Sequence, residues 1–144
     1  MPQANDAELT ELYTAATGLD VEDDEPNIGG LGIPPVTNFD LHLEAVAGSV
    51  IGGNGSDYVL TITCIDDMLA APSAKMSPGI LNQQFNAAHG WQGGGVAGNF
   101  VKDQVFPITV PPDARGHVFH YIATLVSVNG DIVSFIESNR FILV

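Results

Sequence analysis

Residues 117–128, HVFHYIATLVSV, and 131–144, DIVSFIESNRFILV, are two runs of β-branched and aromatic residues on either side of Asn129-Gly130. Such residues fit a pleated, half-buried surface, and Asn-Gly tolerates the backbone angles of a tight reversal. The pair predicts a C-terminal β-hairpin. Side chains alternate across a strand, so Val118, His120, Ile122 and Val126 fall on one face of the first run. His117, Phe119, Tyr121 and Leu125 fall on the other. Both sets are largely apolar, whereas a solvated face would alternate with polar residues. This strand is therefore expected in the middle of a sheet with cover on both sides. The second run is long for one strand, which predicts a bulge at Ser138-Asn139.

Upstream, Phe39, Leu41, Leu43 and Ala45 alternate with Asp40, His42 and Glu44, and Tyr58, Leu60, Ile62 and Cys64 alternate with Thr61 and Thr63. Each reads as a half-buried strand, and Asn54-Gly55 between them predicts a hairpin that returns the second against the first. Residues 104–110 read as an edge strand, because Pro107 cannot donate to a ladder. A turn is expected at 111–113. Residues 66–104 predict a long excursion with one or two short strands and a helical turn near 78–87. Several strands with frequent turns and no alternating helices predict an all-β chain. The favoured form is an immunoglobulin-like β-sandwich over residues 37–144, with a small β-barrel or jelly roll as alternatives.

The first 36 residues read differently. Leu9, Leu12 and Tyr13 fall at i, i+3 and i+4, with Asp6 placed as an N-cap and Gly18 as a stop, so a short helix is expected over 6–17. An acidic and then Gly/Pro-rich linker follows to residue 36. The apolar stripe of Leu9, Leu12 and Tyr13 needs cover, and an arm on a long tether exchanges easily between copies. These three residues are the candidates for self-association.

Charge narrows the partners. The net charge is −13, and residues 1–74 hold all of the imbalance, with 13 acids and no Lys or Arg. Phosphate binding depends on clusters of Lys and Arg, so neither nucleic acid nor an anionic membrane is an expected partner. No apolar run approaches the length of a membrane helix. The N-terminal residues lack the basic and apolar regions of a signal peptide, which predicts a cytoplasmic protein by default. One cysteine, Cys64, excludes an internal disulfide framework and a cysteine-rich zinc site.

The search for chemistry yields few residues. His117 and His120 are three apart and point to opposite strand faces, so they cannot share a metal without a bulge. Residues 93–98 match G-x-G-x-x-G, but a strand-like segment follows where a helix is required. The carboxylates of Asp20, Glu22 and Asp24 have the opening rhythm of a calcium loop, yet Glu25 and Leu31 stand where the glycine and the final acid belong. Cys64 is in phase with Leu60 and Ile62 and reads as a core residue. No catalytic residue, metal site or cofactor is therefore assigned. The expectation is a non-enzymatic β-sandwich for assembly or partner binding, as a homo-oligomer or with a protein partner. The alternative is a ligand-binding or enzymatic fold with a pocket near His89, Trp91, His117, His120 and Tyr121.

Overall fold

The structure, a computed structural model, describes residues 3–30, 32–94 and 98–144. It is an all-β sandwich of two antiparallel sheets. Strands β1 (Ala7–Ala16), β2 (Asn38–Ala47), β6 (Trp91–Gln92) and β7 (Phe100–Thr109) form sheet A in the order β1-β2-β7-β6. Sheet B holds β3 (Asp57–Asp66), β4 (Ala71–Ser73), β5 (Gly79–Gln84), β8 (Val118–Ser127), β9 (Val133–Glu137) and β10 (Phe141–Ile142). Its centre is the β3–β8 pair. Strands β4 and β5 flank β3, while β9 and β10 flank β8. The helical content of the described residues is limited to single 3-10 turns, and no helix is long and apolar enough to cross a membrane.

The core lies between the sheets. Phe39, Leu41 and Leu43 of sheet A meet Tyr58, Leu60, Ile62, Phe119 and Tyr121 of sheet B, all at 0–1 % exposure. Phe141 sits among the rings, with centroids 5.5 Å from Phe39, 5.7 Å from Phe119 and 5.5 Å from Tyr121.

The expected N-terminal helix is instead strand β1, paired with β2 along its length. The cause of the misreading is local. Leu9 pairs with Ala45 and Glu11 with Glu44, so Thr10 is an extra, unpaired residue. This bulge shifts the strand parity by one. Leu9 and Leu12, three apart, therefore both face the core, which copies a helical spacing. Deleting Thr10 would leave the pairing unchanged on both sides. The deletion variant is expected to stay folded within about 1 kcal/mol of the parent in urea unfolding. A loss above about 3 kcal/mol would mean the bulge itself is required.

The described residues of 18–36 carry no regular element and are mostly exposed, in keeping with the linker expectation, but they are anchored. The Ile142 amide donates to the Asp24 carbonyl (2.8 Å), and the Gly29 amide donates to the Val144 carbonyl (2.7 Å). Arg115 bridges the Val144 carbonyl and Asn27 Oδ1.

Other expectations fare unevenly. Strands β2 and β3 form where expected, but they do not pair, and β2 is buried on both faces at Asp40 and His42 rather than half-buried. Residues 48–56 carry the chain from sheet A to sheet B. The turn has φ +77° at Gly55 but −86° at Asn54, so it is not the two-residue reversal that needs positive φ at both. Residues 79–84 form β5, not a helical turn. The C-terminal hairpin stands, and so does its bulge: Ile122 pairs with Glu137 but Phe119 with Phe141, a slip of one residue across 138–140. Pro107 lies on β7 beyond the short stretch that pairs with β6, where a missing amide is tolerated. Residues 95–97 of the G-x-G-x-x-G stretch at 93–98 lie outside the described residues.

Strand β8 is central, but its cover is unequal. Phe119, Tyr121, Ala123 and Leu125 are buried, whereas Val118, His120, Ile122 and Thr124 are half-buried and Val126 is exposed.

Candidate functional site

Two features stand out on the finished fold: a cavity at one end of the sandwich and the outer face of sheet B. The cavity, about 490 Å³, opens between the β3–β4 turn and the β7–β8 connection. Its apolar walls come from Leu69, Pro72, Pro111 and the buried ring of Phe119. Its polar groups are Asp66, Ser73, Lys75, Asp113 and His117. A mostly apolar cavity with a few convergent polar groups has the general form of a small-ligand site.

The best-defined pair in it is Asp66–His117. Asp66 ends β3 on the core-facing side, and His117 precedes β8, so the sheet register brings the two together. Asp66 Oδ2 is 2.6 Å from His117 Nδ1. The other carboxylate oxygen accepts the amides of Met68 (3.0 Å) and Leu69 (3.2 Å), which closes the turn into β4. Burial pushes the Asp66 carboxyl up, but the hydrogen bonds from His117, Leu69 and Met68 outweigh it and hold the group below its ordinary value. An ionised Asp66 accepts only, so His117 carries its proton on Nδ1. His117 Nε2 has no partner among the described residues.

Ser73 does not complete a nucleophilic triad. It pairs with Cys64 across β3–β4, while His117 lies beyond Phe119, the partner of Asp66 across β3–β8. Two strand spacings and about four residues of rise separate Ser73 from His117, roughly 16 Å between Cα atoms. Cys64 is buried, and burial pushes its thiol up to about 12, the opposite of activation. Among the described residues no group of three or more His, Cys, Asp or Glu is placed to hold a metal ion.

The residues singled out from the sequence do not converge. His117 lines the end cavity, but His89, Trp91, His120 and Tyr121 do not. Trp91 is 1 % exposed and donates through Nε1 to the Tyr58 hydroxyl (3.0 Å), which in turn donates to Gln83 Oε1 (2.6 Å). It is a core side chain. Tyr121 is fully buried and donates to the Met76 carbonyl. His89 accepts the Gln84 amide at Nδ1. His120 lies on the outer face of sheet B, 2.9 Å from Asp67, with Arg140 on the other side of that carboxylate. Of the self-association stripe, Leu9 and Leu12 are core residues at 7 % and 5 % exposure. Tyr13 stacks on His42 at 4.8 Å and is half-buried. The stripe is used inside its own sandwich. Asp66 was missed as a partner of His117 because 51 residues separate them.

The outer face of sheet B is built in rows across four strands. Val133, Val126, Val59 and Asn82 make one row, and Phe135, Thr124, Thr61 and Ile80 the next. No charged residue stands in either. Val133, Phe135 and Ile80 are 68 %, 59 % and 72 % exposed. Sheet A presents the contrary surface. Glu11, Glu44 and Asp103 lie directly opposite one another across β1, β2 and β7. A hydrogen bond with Glu11, together with burial and the charges of Glu11 and Asp103, pushes Glu44 up to about 7.

No protein-family model matches the chain, and no curated protein does. A solved structure of a DUF4466 family protein from Parabacteroides merdae is similar in shape, with 12 % identity and a TM-score of 0.42. The match covers 96 % of this chain, which spans 45 % of the length of that protein.

Proposed function

We propose that the chain is a non-enzymatic binding and assembly module that pairs with a second copy of itself through the outer face of sheet B. The observation that carries this reading is the pair of uncharged rows from Val133 to Asn82 and from Phe135 to Ile80. Exposed apolar surface of this continuity is the usual mark of an interaction site. Charge selects the occupant. A basic partner would find its complement on the acidic face of sheet A. Two copies at −13 each repel, and the rows on sheet B are where they can meet without opposing carboxylates. An immunoglobulin-like arrangement, with two antiparallel sheets and loops at both ends, belongs to the same proposal.

The size of the face sets the strength. Four strands and two rows span roughly 250 Å² by strand spacing and rise. A standard interface takes about 800 Å² from each partner, so the pairing is weak and concentration-dependent. Sedimentation equilibrium is expected to show a reversible monomer–dimer with Kd of about 10 μM to 1 mM, tightening as salt screens the net charge. Phe135→Asp, at an exposed position, should leave the circular dichroism unchanged and the chain monomeric. A parent chain that stays monomeric up to about 1 mM would sink the proposal. Small-ligand binding is the second reading, and the end cavity is what favours it.

A further inference from the structure

We propose that the end cavity takes an uncharged, hydroxyl-rich ring, of the pyranoside class, with His117 Nε2 accepting one of its hydroxyls. This site is separate from the face of sheet B, and neither claim depends on the other.

The imidazole is set for one role. Its Nδ1 is committed to Asp66, whose own oxygens are committed to His117 and to two backbone amides. The carboxylate therefore fixes the ring's orientation and, in the neutral imidazole, the tautomer that leaves Nε2 an acceptor beside a cavity. His117 is held rigidly, in a ring contact with Phe119 at 6.1 Å. An acceptor of this kind calls for a donor on the ligand.

Charges of both signs in the lining favour a neutral ligand over either charged class. A cationic ligand would meet Lys75, which is exposed and outside the ion pairs of the described residues. An anionic ligand would meet Asp113 and Asp66 on a chain of net charge −13. A neutral ligand incurs neither repulsion. It can give hydroxyls to His117 and Asp113 and accept from Lys75 and Ser73. Leu69, Pro72 and Pro111 offer apolar surface for the C–H face of a sugar ring. The cavity, about 490 Å³, lies within the range of small-ligand sites.

The test is a titration of the full chain followed by NMR, with three probes: methyl β-D-glucopyranoside, benzoate and tyramine. The signals read are the His117 ring and the methyl groups of Ala74 and Ala114, which line the cavity. The glucoside is expected to shift them saturably, with half-saturation in the range of about 1–50 mM typical of a few hydrogen bonds. His117→Ala should weaken that response at least about tenfold. Should that variant not fold, Asp113→Ala at an exposed position should weaken it about threefold. No saturable shift at these signals up to about 100 mM overturns the proposal. Tighter binding of benzoate or tyramine at the same signals also overturns it.

Discussion

Replacing Lys102 with Met is expected to stabilise the fold at pH 7 by about 2 kcal/mol. Lys102 is 2 % exposed and points into the sandwich, where its ammonium donates to the His89 carbonyl and finds no carboxylate among the described residues. Burial pushes its pKa down from 10.5 to about 8. The folded chain therefore releases this proton more readily than the unfolded chain. Stability from this group is complete above pH 10.5 and is lost as pH falls through 8. The full span is about 3 kcal/mol, and the carbonyl that Met leaves unpaired returns roughly 1 kcal/mol of it. Denaturant unfolding of both proteins from pH 7 to 10.5 checks this. The difference between them should shrink steadily with pH. Subtraction is needed because Cys64 and Tyr58, both pushed up to about 12 by burial, lower the stability of both proteins as the unfolded groups ionise. A constant difference would show that Lys102 is charged and satisfied in the fold.

Trp91→Ala should cost about 3–5 kcal/mol, the range for removing a large buried ring. Phe85 and Tyr58 pack on the indole at 5.2 Å and 6.2 Å, so the cavity left behind is walled by rigid rings that cannot collapse into it. Trp91→Phe separates packing from hydrogen bonding. It keeps most of the ring volume and loses the Nε1 donor to Tyr58, so its cost should be about 1–2 kcal/mol. Thermal unfolding of the two variants gives the comparison. Equal losses would assign the role of Trp91 to its hydrogen bond rather than its bulk.

What the sequence made legible follows from what alternation can encode. Phe39 to Ala45 and Tyr58 to Cys64 each alternate apolar with polar residues, and both strands form where expected, although Asp40 and His42 of the first are buried as well. Alternation does not name the neighbour, and these two strands separated into different sheets. Strand β1 was hidden because the bulge at Thr10 replaced a period of two with a spacing of three. The unequal cover of β8 was hidden for another reason. Valine, isoleucine and threonine suit a half-exposed sheet surface as well as a core, so the outer row read as buried. Lys102 offered a signal that was not used: it is in phase with Phe106 and Ile108, on the inward side of β7. The Asp66–His117 pair depends on the register of β3 against β8, and nothing near either residue announces it.

The anchoring of residues 24–29 by Ile142 and Val144 bears on how the chain is made. Strands β1 and β2 can zip as soon as both have left the ribosome. Strand β3 can pair early with β4 and β5, but its other edge must wait for β8, and the segment after β1 must wait for Ile142 and Val144. Such pairings between distant segments are slow to form and leave sticky strand edges exposed meanwhile. The waiting half is residues 1–74, with 13 carboxylates and no lysine or arginine. Mutual repulsion keeps such nascent chains apart. The bases that later temper this charge, Lys75 onward, arrive with the strands that close the fold.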